Sequence, residues 1–512
     1  MGIRISGIAS GLDTEGIVSE LMKVQRLKTT RLENNITKLN WKIEKWKTLN
    51  SKIYSFYTGP LAKLRLQGNF NAKKAYTSND SKVGVTVSNA VPEGTHTLQI
   101  KSVASAQFVT GESLNTSINV TYDTKLKDLG MDEAVGSKIV ITAGSDTIDF
   151  EIKENSTVGD FISALRNAGL NASFDTSLKR FFISSTKSGT ENAFTITTEA
   201  AEGGNVDLSK LGLSQITKSV DENGKVTISA GGNVSVVNPA DAVIIYNGAE
   251  FKSSSNVMNI NGMTITVKDV TAEDEVINIS VSKDSQAIYD MVKDFIKSYN
   301  EVLAELNKAY NADLARGYEP LTDDQKKVMT EEQIEKWENK IKDSLLRRDQ
   351  SLNSIITAMR DCLSRSVTVN GKSYSLSSFG INSVDYTERG LLHLDGDPDD
   401  GMTSSNEDKL MKAISENPDV VMEVFTELTG ELYKTMTEQM KSTPLKSALS
   451  FYNDKELNNT LKDYQDRLSM WEDRLVEMED RYYRQFSAME SMMAKLNSQS
   501  GALYSLLGMN SQ

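Results

Sequence analysis

Cysteine and histidine are nearly missing from this chain of 512 residues, which holds one of the first, Cys362, and two of the second, His96 and His393. A single thiol excludes an internal disulfide framework and any multi-thiolate metal site. Two separated histidines leave little for acid–base or nucleophilic chemistry, and neither belongs to an H-E-x-x-H pair. Cys362 shares the apolar phase of a helix with Met359 and reads as a buried small hydrophobe. No apolar run approaches the roughly 20 residues of a membrane span. The opening "MGIRISGIASG" has no basic leader, apolar stretch and cleavage site, so export, if any, would not use a cleaved secretory signal. The formal net charge of -13 removes the basic surface that nucleic acids and anionic membranes require.

The glycines of "GIASGLDTEGI" invite comparison with a phosphate-binding loop, but Gly7 and Gly11 are too close, no lysine follows, and no strand precedes them. The stretch reads instead as a turn into a helix, with Asp13 as N-cap and Ile17, Leu21 and Val24 along the helix. From Leu32 the steps alternate between four and three through Ile36, Leu39, Ile43, Trp46, Asn50, Ile53 and Tyr57, the heptad seam of a coiled coil, with Asn50 as a polar residue able to set register. A longer seam closes the chain: Leu461, Tyr464, Leu468, Trp471, Leu475, Met478, Tyr482, Gln485, Met489, Met492, Leu496, Gln499, Leu503 and Leu506. At 1.5 Å per residue it would extend roughly 70 Å. One seam from each end predicts termini that pack side by side.

Between Tyr76 and Ser285 the texture changes to short alternating runs of β-branched and small residues. "KVGVTVSN", "GTHTLQIKSV", "SKIVITAG", "TIDFEIK", "RFFISST" and "AFTITTEA" read as strands. One helix interrupts them, "STVGDFISALRNAG", with Thr157 and Asp160 spaced as a capping box and Gly169 placed to end it. "MTITVKDV" and "EVINISVS" read as a hairpin in one sheet with "VGVTVSN", bringing the chain back to its helical part. This β-rich region carries 26 acidic against 16 basic residues and none of the four tryptophans. Helical periodicity returns at Gln286.

The pattern predicts an α+β multidomain fold of terminal coiled-coil legs and a helical stalk, with an inserted β-rich head of two nested subdomains. Residues 1–45 with 456–512 form the leg and 46–75 with 286–455 the stalk. Residues 76–111 with 236–285 form the inner head, and 112–235 the outer head with its one helix. The expected metal site is none. In "DGDPDDGMTSSNE", Asp395, Asp397 and Asp399 match the first oxygen ligands of a calcium loop, but Asp400 stands where glycine is required and Asn406 where a bidentate glutamate is required. A solvated acidic turn is the expectation there. Paired carboxylates for glycoside hydrolysis remain open, since sequence does not show two acids meeting across a sugar.

"ISGIASGLDTEGIVSELMKVQR" resembles the N-terminal signature of the bacterial flagellar filament cap family, also called hook-associated protein 2. The resemblance continues in order through "YNGAEFKSSSNVMNINGMTITVKDV", "VKDFIKSYNEVLAEL", "LLRRDQSLNSI", "SSFGINSVDYTERGLLHLD" and "RQFSAMESMMAKLNSQSGAL". Residues 110–138 and 206–237 are the least recognisable. "EPLTDDQKKVMTEEQIEKWENKIKDS" and "DGDPDDGMTSSN" lengthen the family's pattern.

The resemblance implies a non-enzymatic assembly protein without cofactors, at the extracellular tip of the flagellum. Its copies would form a homo-oligomeric ring, with the heads as a plate and the legs reaching between flagellin subunits. Its partners would be itself, flagellin, and the flagellar type III export apparatus with its chaperone, with no nucleic acid and no membrane span. The leg contacts are expected from Leu32, Ile36, Leu39, Ile43 and Trp46, and from Leu461, Leu468, Trp471, Leu475, Met478, Met489, Met492, Leu496 and Leu503. An adhesin with a β head on a coiled-coil stalk is the alternative, and an extracellular hydrolase a more distant one.

Overall fold

A computed structural model describes residues 13–222 and 224–506. The opening glycines Gly7 and Gly11 lie outside the described residues. The chain divides into two compact units, one formed by residues 71–284 and the other by the segments before and after it.

The β-rich unit contains two cores. In the inner one, a five-stranded antiparallel sheet runs in the order Lys73–Thr77, Ile277–Lys283, Gly94–Ser102, Ala242–Tyr246 and Ala249–Ser253, and a three-stranded sheet runs Val257–Ile260, Met263–Val267 and Val83–Val87. Alternation buries Leu98, Ile100, Ile244, Ile265 and Ile279 between them. Asn247-Gly248 and Asn261-Gly262 take positive φ at both residues, the two-residue turn whose twist suits a hairpin. The predicted hairpin of "MTITVKDV" with "EVINISVS" is not formed. Met263–Val267 pairs with Val83–Val87, whereas Ile277–Lys283 pairs with the strands at 73–77 and 94–102 in the other sheet. The intervening loop carries the chain across, because Thr271 Oγ1 accepts from Ile100 N (3.0 Å) and donates to Ile100 O (3.1 Å). An ion pair of Lys82 with Glu275 holds the same crossing.

The outer core packs Phe161 and Leu165 of the Val158–Asn167 helix with Phe181, Phe194, Ile139 and Ile196. Thr157 and Asp160 form the reciprocal cap, Asp160 N donating to Thr157 Oγ1 at 3.1 Å and Thr157 N to Asp160 Oδ2 at 2.9 Å. Strands Phe108–Thr110 and Ser235–Val237 belong to a four-stranded sheet with Arg180–Ser185 and Leu170–Asp175, so residues 108–111 and 236–237 join the outer core rather than the inner one. Fully buried Gln107 closes the junction, donating from Nε2 to Phe194 O and accepting at Oε1 from Phe194 N. A β-carbon at Gly189 would lie 2.3 Å from Ser254, so only glycine permits the outer core to approach the inner one there.

In the helical unit, the N-terminal helix Thr14–Phe56 continues through a π turn, Tyr57–Leu61, that contains Pro60. The wider turn absorbs the N–H that proline lacks. Over residues 43–57 the helix is not one strand of a two-stranded coil. Phe56 meets Phe295 and Tyr299 of the Ser285–Tyr310 helix, Tyr57 stacks on Tyr433 of the Pro418–Gln439 helix, and Leu49 and Phe56 are buried off the heptad seam. This part is a helix bundle, whose buried face is wider than a coiled-coil seam.

Candidate functional site

The C-terminal helix, Asp454–Leu506, runs antiparallel to the N-terminal helix. Trp46 stacks on Tyr452 at 5.0 Å, Lys28 lies over Trp471 at 4.5 Å, and Val18 and Met22 close on Leu475. Asp13 caps the N-terminal helix by accepting from Gly16 N at 2.8 Å. Leu32, Ile43 and Trp46 are buried, with Ile36 and Leu39 half-buried. On the opposite helix Leu475 is buried, and Leu461, Leu468, Trp471, Met478 and Met489 are half-buried.

Three of the expected leg-contact residues do not pack on the described part of the N-terminal helix. Met492, Leu496 and Leu503 are 71%, 61% and 58% exposed. Phe486 is the last hydrophobic side chain that packs on the Val18–Met22 cluster, and the helix continues for about 30 Å beyond it. The inward face also rotates by one residue, to Phe486 in place of Gln485 and Met493 in place of Met492, as expected when a straight helix of 3.6 residues per turn departs from a 3.5 repeat.

The N-terminal helix carries a second apolar line. Ile17, Leu21, Val24 and Leu27 are exposed, Val24 and Leu27 at 64% and 67%, while Val18 and Met22 face the C-terminal helix. Stepping the Leu32 seam backwards by threes and fours lands on Thr29, Gln25, Met22, Val18 and Thr14, all buried or half-buried. That continuation was the available signal, and it leaves Ile17, Leu21 and Val24 facing outward.

The loop from Asp395 to Glu407 is not a solvated turn. Asp395 and Asp397 are buried. Asp395 accepts from Asn406 Nδ2 at 2.8 Å and pairs with Lys409 at 3.3 Å. Lys293 Nζ bridges Asp397 (2.6 Å) and Asp399 (2.7 Å), and both pairings hold the ammonium well above the usual lysine range. A calcium ion would have to displace that lysine. Among the described residues no three His, Cys, Asp or Glu side chains converge as metal ligands. Cys362 is buried, with Sγ 3.7 Å from Thr435 Oγ1. His96 Nδ1 is hydrogen-bonded to Tyr246 and Asn247, and His393 lies between Glu388 and Asp400. No helix among the described residues is long and apolar enough to cross a membrane.

Comparison with known proteins returns one family at both ends of the chain. The family model described as flagellar hook-associated protein 2 N-terminus matches residues 10–107, and the one described as flagellar hook-associated protein 2 C-terminus matches 239–498. The unmatched interval, 108–238, is close to the extent of the outer core. The flagellar hook-associated protein 2 of Halalkalibacterium halodurans is 26% identical, covering 98% of this chain and 99% of its own. That of Escherichia coli K12 is 25% identical, covering 97% and 96%. The crystal structure of the flagellar cap protein FliD D1-D2-D3 domains from Escherichia coli aligns with a TM-score of 0.48 at 19% identity, over 78% of this chain and 96% of that one.

Proposed function

The chain belongs to the flagellar hook-associated protein 2 family, and from this premise we propose that it caps the distal end of the bacterial flagellar filament through its paired terminal helices. The carrying observation is the apolar surface that those helices leave uncovered: Ile17, Leu21, Val24 and Leu27 on one helix, and Met492, Leu496 and Leu503 on the other. Helical stripes of this kind gain stability only when another surface covers them.

On this reading the covering surfaces are flagellin subunits and neighbouring copies in an oligomeric cap. The β-rich units form the plate under which exported flagellin folds and joins the filament, and which prevents its loss. The protein itself reaches the extracellular tip through the flagellar export apparatus, accompanied by a chaperone. Family membership gives no support to the adhesin alternative.

The family is structural, and we assign no turnover to this chain. That assignment rests on its reactive side chains being engaged internally, Cys362 by burial and His393 by two carboxylates. The test is complementation of a strain lacking the gene with a Val24→Glu, Leu27→Glu double variant. Both positions are exposed, so the variant should fold and be exported while flagellin leaks unpolymerised into the medium. Filaments of normal length would overturn the leg assignment.

A further inference from the structure

His393 sits in a two-residue strand opposite Asn382, mostly covered, with both ring nitrogens engaged by acids. Nε2 is 2.6 Å from Glu388 Oε2 and Nδ1 is 2.7 Å from Asp400 Oδ2. A neutral imidazole has one N–H, so it can donate to one of these carboxylates while its other nitrogen directs a lone pair at the second. Only the imidazolium satisfies both.

The surrounding charges are committed elsewhere. Lys293, from the Ser285–Tyr310 helix, neutralises Asp397 and Asp399, and Lys297 acts on Asp399 from the same helix. Lys409, from the Lys409–Glu416 helix, pairs with Asp395. Arg360, from the Gln350–Leu363 helix, lies against Gly390, next to Arg389. Among the described residues, Glu388 and Asp400 have no ion-pair partner besides His393.

We propose that His393 is a protonation-controlled latch: charged, it ties the Tyr386–Glu388 turn to the acidic loop, and on losing a proton to solvent it releases that turn. The turn presents Tyr386, 91% exposed, and follows exposed Val384, so release alters the outer surface of the helical unit. Burial pushes the imidazole down, but hydrogen bonds and attraction from Glu388 and Asp400 outweigh it and leave it raised. The sign follows. The latch is complete below the ordinary histidine value of about 6.5 and is lost as pH rises through the higher folded value.

With two histidines in the chain, a ¹H–¹³C titration assigned with His96→Gln isolates the His393 ring. Its midpoint should exceed about 6.5, with each unit of excess worth about tenfold in latch closure. Amide exchange over residues 384–390, corrected for the intrinsic pH dependence, should show protection falling through the same midpoint. In the Glu388→Gln, Asp400→Asn double variant, one amide can accept from a neutral ring and the other donate to it, so protection should be independent of pH. A midpoint at or below 6.5, flat protection in the wild type, or equal pH dependence in the double variant would each overturn the latch.

Discussion

Replacing Asn50 with leucine should destabilise the helical unit, although leucine is the better residue for a coiled-coil seam. The Asn50 carboxamide accepts from Phe451 N at 2.8 Å and donates to Leu449 O at 3.3 Å, so it holds the loop that enters the C-terminal helix. Phe451 is buried, and leaving its N–H unpaired costs about 1–3 kcal/mol, with about 1 more for the second bond. A leucine at this half-buried position recovers about 1 kcal/mol of burial. The net loss is then about 1–3 kcal/mol, and Asn50→Ala, without that recovery, should lose about 2–4. Leu449 is held at φ +64, a left-handed conformation costing a non-glycine residue on the order of 1 kcal/mol, so the freed loop has a reason to relax. Relaxation would shift the helix start and disturb the Trp46–Tyr452 stack. Urea unfolding followed by tryptophan fluorescence reads this unit selectively, because Trp41, Trp46, Trp337 and Trp471 all lie outside residues 71–284. If Asn50→Leu were as stable as wild type or more so, Asn50 would be an ordinary seam residue and the loop-anchoring argument would fail.

Leu475→Lys, on the buried line with Val18 and Met22, should cost on the order of 2–3 kcal/mol of helix pairing and expose both terminal helices to limited proteolysis. Glu472→Lys, at an exposed position of the same helix, should leave the digestion pattern unchanged. In the β-rich unit Asp241 accepts from Thr190 N (2.7 Å) and Oγ1 (2.6 Å) and pairs with Lys252, and although burial pushes its carboxyl up, these bonds hold it below the usual range. Its contribution is therefore full above about pH 4 and lost as pH falls through the lower folded value, so an Asp241→Asn variant should flatten the acid limb of a thermal-melt series. Gly189→Ala should lower the melting temperature of that unit, since the new β-carbon meets Ser254; an unchanged melt would show that the two cores separate without cost.

Periodicity carried much of this fold because burial along one face writes itself into spacing. The cap of the Val158–Asn167 helix and six of the head strands were legible as local patterns, each set by neighbours within a few residues. The closing strands are not legible in this way. "MTITV" and "INISVS" have the same alternation, and contacts far apart in sequence, Thr271 with Ile100 and Glu275 with Lys82, go with their placement in separate sheets. The acidic loop failed similarly: its composition reads as solvated, but Lys293, about a hundred residues upstream, takes Asp397 out of water.

By itself the sequence determined an α+β chain with helices at both ends, a β-rich insertion between them, and an apolar stripe along each terminal helix. These follow from short-range periodicity. Tertiary structure decided which stripe is spent within the chain and which is left over. Val18 and Leu475 cover one another, whereas Val24, Leu27 and Leu496 are uncovered, although all are equally apolar in sequence. It also decided that Asn50 grips a loop and that His393 meets two carboxylates. The physical reason is the same each time: hydrophobic burial is non-directional and leaves a period, whereas hydrogen bonds and ion pairs need a particular partner that only folding brings within 3 Å.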